Sequence, residues 1–305
     1  MKNVNARFIM PTVDFHADDY GISLNNSREI LECLKKGKLN SISIIPNTNH
    51  YEECMELLRN EWNSLPASPL ISVHLNFIDG KSLSDESLPL LHDSNKLMTT
   101  SWGKLFIASF IPGNRRKQLK QQLQEEIKAQ IDAVTKSLPQ DCPLRIDSHM
   151  HTHMIPVVAQ ALLEVIDNYQ YPVTFIRIAQ EPFGAFIKKI SLYKTYSPIN
   201  FIKNIILNIL SPSLKRELKR RHIAYSMLWG LIMSGHMDKN RIEVLYLDIL
   251  HCANKKNLDL EILFHPGQAL PDELDSANCK DDVNSFYLSE NRIVEKTAVL
   301  TWMQN

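Results

Sequence analysis

Three short segments of this chain place metal-ligand side chains at the ends of apolar runs: Phe15-His16-Ala17-Asp18-Asp19-Tyr20-Gly21, Ser72-Val73-His74-Leu75-Asn76, and Asp147-Ser148-His149-Met150-His151-Thr152-His153. Two imidazoles and a carboxylate leave positions open on a divalent ion, which separates a catalytic metal centre from a closed structural one. Together the three segments read as one catalytic metal centre built from several strands. A lone histidine is more often a hydrogen-bonded core or surface residue; the joint pattern carries the reading. If the backbone stays extended, alternation puts Asp147, His149, His151 and His153 on one face.

The elements that position these groups alternate. Apolar, β-branched runs recur at Thr12 to His16, Ser41 to Pro46, Leu70 to Asn76, Leu144 to His149, Val173 to Ile178 and Leu258 to His265, with helix-like periodicity between several of them. That alternation predicts a mostly parallel sheet, whose carboxyl strand ends converge on one crevice or barrel mouth. His265 closes one of these runs and therefore belongs at a strand end as well.

A helix is predicted after the first strand, capped by Asn25 or Asn26 and stopped at Gly37. Leu119, Leu123, Ile127, Ile131, Val134 and Leu138 predict an amphipathic helix over 117–138. Pro156 opens another helix, since its missing N–H costs nothing in a first turn. A further one runs from about Arg241 to Cys252. Residues 78–112 read as a loop or lid over the strand ends. In 183–221 an apolar stretch precedes Lys215, Arg216, Lys219, Arg220 and Arg221. This is an inserted helix packed on the body, or one lying on an anionic membrane surface through 201–221.

The chain has 305 residues, enough for one domain of barrel size spanning 1–305. With 44% hydrophobic and 22% charged residues it falls among ordinary globular proteins, and its formal net charge of zero argues against a general nucleic-acid binder. Cys33, Cys54, Cys142, Cys252 and Cys279 are widely spaced without a Cys-x-x-Cys pair. They indicate neither a disulfide framework nor a thiolate zinc site, and fit a reducing cytoplasm. Met1 to Met10 lacks the apolar core of a signal peptide, and no run reaches the roughly 18 apolar residues of a membrane span. The expected location is cytoplasmic, with the membrane-peripheral alternative kept for 201–221.

His16-Ala17-Asp18-Asp19-Tyr20-Gly21, Val73-His74-Leu75-Asn76 before Gly80, Ile146 through His153, and Glu261-Ile262-Leu263-Phe264-His265-Pro266-Gly267 resemble, in order and spacing, the YdjC/ChbG-like carbohydrate deacetylases. The resemblance implies an α/β fold, a distorted (β/α) barrel of the polysaccharide-deacetylase type. It also implies removal of acetyl groups from N-acetylated sugars through attack of metal-bound water. Carried over by position, Asp19, His74 and His149 are the metal ligands, Asp18 the general base and His265 the general acid; the two neighbouring aspartates can exchange roles. The cofactor implied is one divalent ion, Mg²⁺ or Zn²⁺ first, with Mn²⁺ and Co²⁺ served by the same ligand set.

Around these, Asp147 can orient a histidine, and His151 and His153 can border the substrate. Arg177 can bind sugar hydroxyls or phosphate, or form an ion pair. Trp229, with Gly230, Ser234 and Gly235, resembles the family's turn region, where the indole stacks on a sugar or fills core volume. Segment 183–221 is longer and more basic than a disaccharide deacetylase needs, and a lipid-linked or nucleotide-linked amino sugar would suit such a rim. A homodimer is compatible with this reading.

Competing readings are a metal-dependent phosphoesterase or amidohydrolase on the same barrel and a non-catalytic carbohydrate-binding protein. The first is disfavoured because His16 is followed by Asp18 where those sites carry His-x-His. Against the second, the full set of base, ligands and acid is present.

Overall fold

A computed structural model describes residues 11–36, 39–139, 142–274 and 281–302. In chain order the elements are β1 (Val13–Tyr20), α1 (Leu24–Lys35), β2 (Ser41–Ile44), α2 (Tyr51–Glu61), β3 (Leu70–Leu75), α3 (Trp102–Phe110), α4 (Asn114–Ser137), β4 (Leu144–Ser148), α5 (Pro156–Tyr169), β5 (Val173–Ile176), α6 (Phe183–Ile187), α7 (Pro198–Arg220), β6 (Met227–Trp229), α8 (Lys239–Lys255), β7 (Leu260–Phe264), α9 (Asp281–Tyr287) and α10 (Asn291–Trp302).

The strands are parallel, in the order β5-β4-β3-β2-β1-β7-β6. The sheet curls until its edges meet: Ala224, just before β6, donates to Thr174 O at 3.0 Å and accepts from Ile176 N at 3.1 Å. This is the distorted (β/α) barrel expected from the sequence. A parallel sheet closed this way is covered by helices on its outside and encloses side chains within.

Period-two alternation sorts those side chains. Ala17, Ile42, Ile44, Ile71, Val73, Leu75, Ile146 and Ile262 are buried outward, in the main apolar cluster with the helices. The intervening positions are polar yet buried, and bond to one another inside the barrel: Ser41 and Ser43 with His16, His74 with Asp147, Arg177 with Glu261. Each fully buried Ile or Leu on the outer side contributes roughly 1.5–3 kcal/mol. The inner polar face sacrifices that term to assemble a charged network.

The helices follow their patterns with shifted ends. Ser23, not Asn25 or Asn26, caps α1, its Oγ accepting from Asn26 N at 3.1 Å. Asn26 reaches across to the carbonyls of Pro266 and Gly267 at 3.2 and 2.9 Å, clasping the turn after β7. Gly37, the predicted stop, lies outside the described residues, as do Met1 to Met10 and Cys279. The helices predicted over 117–138 and from Arg241 are α4 and α8, and Pro156 opens α5.

Residues 78–112 are not loop throughout, since α3 occupies the final third. The preceding stretch is pinned to α4, where Glu126 accepts from the backbone of Leu83 and Ser84 and Gln122 from that of Leu90. Segment 183–221 forms α6, a 3-10 turn and α7. Within its basic cluster Arg221 bonds Asp167 and Glu217, Arg220 bonds Glu217, and Lys215 sits over the Tyr225 ring. No described helix is long and apolar enough to cross a membrane.

Candidate metal centre

Asp18 and Asp19 end β1, where neighbouring side chains ordinarily point to opposite faces. Here the ladder slips between Ala17 and Tyr20, and Asp19 takes a left-handed φ of 74°, which aspartate tolerates better than most residues. Both carboxylates consequently reach the same cavity, of about 520 Å³, whose floor also carries His74, His149, His151 and His265.

His74 and His149 converge on Asp19. His149 Nδ1 lies 3.4 Å and His74 Nε2 3.7 Å from Asp19 Oδ1, and the three ligand atoms fall within 4.8 Å of one another. Asp19 Oδ1 is buried with no hydrogen-bond partner among the described residues. An orphaned carboxylate oxygen facing two imidazole nitrogens fits a divalent ion, because bonds of about 2.1 Å in tetrahedral array separate their ligand atoms by about 3.4 Å. Asp19 Oδ2 is held by Arg292 Nη2. Burial opposes ionisation of Asp19, but Arg292 and His149 outweigh it and hold the carboxyl far below its usual range.

Behind His74 stands Asp147, whose Oδ1 is 2.6 Å from Nδ1. Despite burial, Arg177 and His74 keep Asp147 ionised and acceptor-only. Beside that acceptor Nδ1 of His74 is the donor, and Nε2 faces Asp19. A carboxylate behind a ligating imidazole fixes ring orientation and tautomer in this way.

Arg177 is fully buried and engaged by carboxylates: its Nη1 and Nη2 bond Asp18 at 2.9 and 2.8 Å, Nη2 reaches Asp147 at 2.9 Å, and Nε bonds Glu261 at 2.6 Å. Of the two roles open to it, the ion pair is the one formed. Burial alone would raise the Asp18 pKa, yet Arg177, His74 and His16 hold it well below the usual range. His16 sits beneath, 3.2 Å from Asp18 through Nε2, which also meets Ser43 Oγ at 2.6 Å.

The expected single face of Asp147, His149, His151 and His153 does not form, because the backbone leaves the strand after Ser148 and Met150 and His151 adopt left-handed φ. His149 and His151 thereby enter the cavity. Burial, then the nearby Arg177 charge, push His151 well below the ordinary histidine range. His153 turns into the body, with Nδ1 2.6 Å from Ser148 Oγ and Nε2 2.8 Å from the Arg177 carbonyl. Both ring nitrogens are used there, and burial pushes its pKa down to about 4.

His265 follows β7 at the cavity, its backbone N–H bound to Glu295 and its Nδ1 3.6 Å from Glu295 Oε2. The ring meets Phe286 edge-on at 5.3 Å between centroids. Trp229 is fully buried in the core, 6.5 Å from the Tyr246 ring centroid, and does not border the cavity.

Arg292, Glu295, Phe286 and Trp102 were not anticipated as site residues. Arg292 meets Asp19 across 273 residues and rests against the Phe286 and Tyr287 rings. The one available signal was an arginine and a glutamate at i and i+3 on the apolar side of a C-terminal amphipathic helix, a place where charges are usually absent.

The family model for YdjC-like proteins matches residues 13–303. A carbohydrate deacetylase of Mus musculus is 27% identical over 170 residues, covering 54% of this chain and 49% of that protein, so the match spans about half of the mouse relative's length. The solved structure of a candidate cellobiose-phosphate cleavage protein from Enterococcus faecalis V583 superposes with a TM-score of 0.65 at 19% identity, over 95% of this chain and 91% of that one. At that identity the likeness speaks for the fold. The extent of the family match decides the matter, and the chain belongs to the YdjC-like protein family.

Proposed function

We propose that this protein is a metal-dependent hydrolase that removes the N-acetyl group from an acetylated amino sugar. The carrying observation is the buried, unpartnered Asp19 Oδ1 facing His74 Nε2 and His149 Nδ1, in a cavity that also holds Asp18 and His265. The activity named for the mouse relative supports the same reading.

In this reading Asp19, His74 and His149 hold one divalent ion, which supplies Lewis acidity toward an amide carbonyl and water. Asp18 acts as the base. Burial opposes its ionisation, but Arg177 holds its pKa well below the usual range, which keeps it in the state that accepts a proton. His265 donates to the departing amine, which cannot leave as an anion; such general acid help is worth about 10²- to 10⁴-fold. Asp147 and Arg177 orient the groups they touch.

The test incubates the purified protein with Mg²⁺, Zn²⁺, Mn²⁺ or Co²⁺ and N-acetylated sugars, following loss of acetyl by mass spectrometry. Turnover that Asp18→Asn and His149→Ala abolish supports the proposal. No turnover with any ion, or variants as fast as the parent, overturns it.

A further inference from the structure

The cavity has two unlike halves. Its floor holds the carboxylates and imidazoles, whereas its wall is formed largely by Trp102 of α3, Met150, Ile199, Ile202 and Ile206 of α7, and Phe286. Asn200, Lys203 and Ser234 are polar groups on that wall, and Asn200 already spends its amide on the Ile232 carbonyl. A second sugar ring set against such a wall would bury hydroxyls without partners, which costs free energy for each one. A nucleotide diphosphate would need several cations or forked guanidinium groups, and Lys203 is the one Lys or Arg among the described wall residues. A hydrocarbon chain has no such requirement and gains from losing water there.

The apolar surface does not stop at the cavity. On α7, Ile202, Ile205 and Ile209 are 52%, 48% and 71% exposed, at the spacing that lines one helix face. On α3, which brings Trp102 to the cavity, Ile107 and Phe110 are 60% and 61% exposed, and Ile111 just after it is 59% exposed. Isolated exposed apolar side chains are ordinary; here each of two helices carries apolar side chains both at the cavity wall and on its exposed surface, and patches of this kind mark binding surfaces.

We infer that the substrate is a glycolipid: an acetylated amino sugar whose aglycone is a long hydrocarbon chain, with the sugar at the carboxylate floor and the chain on the apolar side chains of α3 and α7. This rests on the deacetylase reading above and narrows its substrate. The insertion at 183–221 then serves the chain through the apolar half of α7, while two cations of its basic end, Arg220 and Arg221, are engaged with the protein's own acids.

The experiment compares methyl, butyl and octyl glycosides of N-acetylglucosamine, below micelle-forming concentrations, with N,N′-diacetylchitobiose as the all-sugar alternative. The expected result is kcat/KM rising about fourfold per buried methylene, octyl exceeding methyl by at least ~100-fold, and diacetylchitobiose no better than methyl. Ile202→Glu combined with Ile206→Glu should erase most of that gain. A kcat/KM independent of chain length, or diacetylchitobiose preferred over octyl, overturns the inference while deacetylation itself stands. Calorimetric binding of the same glycosides separates the two ideas. Octyl binding far tighter than methyl with no acetyl released overturns the deacetylase reading and leaves the apolar binding surface in place, whereas equal binding with no release overturns both.

Discussion

Arg177 grips Asp18 through both terminal guanidinium nitrogens, at 2.9 and 2.8 Å, while the same side chain bonds Asp147 and Glu261. One buried cation thus bridges three buried acidic side chains drawn from β1, β4 and β7. Removing one partner of a buried charge cluster leaves the others uncompensated, at a typical cost of about 3–5 kcal/mol. Arg177→Met is expected to lose stability on that scale in urea unfolding, and Asp18→Asn much less, because Arg177 keeps two partners. A loss below about 1 kcal/mol for Arg177→Met would show that the network is not what it costs to break.

Asp147 sets the tautomer of His74. Asp147→Asn keeps the shape but presents an amide that can donate as well as accept, so the imidazole loses its fixed orientation. Metal affinity, measured by competition with a chelator, is expected to fall 10- to 100-fold. Unchanged affinity would count against His74 as a ligand.

Glu181 is buried without a cation beside it among the described residues, and accepts from the backbone N–H groups of Gly230 and Ile232, each at 2.7 Å. Burial outweighs those bonds and pushes its pKa up to about 7 from 4.5. Between these values the folded state binds more protons than the unfolded one, so unfolding free energy falls as pH rises from about 4.5 to 7 and stays lowered above. The span corresponds to an effect on the order of 3 kcal/mol. Glu181→Gln should flatten that part of the stability–pH curve, read as midpoint differences in urea at several pH values. A parent curve rising through this range and unaltered by the substitution would refute it.

Gly80 takes a φ of 75°, and a Cβ there would lie 2.3 Å from the Asn47 carbonyl oxygen. Backbone cannot yield as a flexible side chain does. Gly80→Ala is therefore expected to cost at least about 1–2 kcal/mol from the left-handed conformation alone, and to displace the turn after His74 that Asn76 ties to Asp79. Thermal denaturation together with metal affinity checks both effects; a variant as stable as the parent would contradict the close approach.

Strand positions and long helices were legible because their periods survive folding: α4, α5 and α8 bury the residues their spacing selects. β6 escaped notice, being only Met227–Trp229. The inner polar face was visible in Ser41-Ile42-Ser43-Ile44 and Leu70-Ile71-Ser72-Val73-His74, yet runs that alternate small polar and branched residues resemble half-exposed strands until the barrel is seen to close. The Asp19, His74 and His149 cluster came from motif order. Its counter-charge Arg292 could not, since nothing local links a C-terminal helix to the first strand.

That separation also sets a schedule. Asp19 and Arg292 stand 273 residues apart, and β1 pairs with β7 in the finished sheet. At the usual ribosomal rate of ~5–20 residues per second, the acidic end of β1 waits roughly 14–55 s for its last arginine. Through that interval the nascent protein carries Asp19 without the arginine that holds its Oδ2 in the folded chain. The candidate metal centre is completed late, and a chain cut short before α10 would hold Asp19, His74 and His149 without the charge that steadies Asp19.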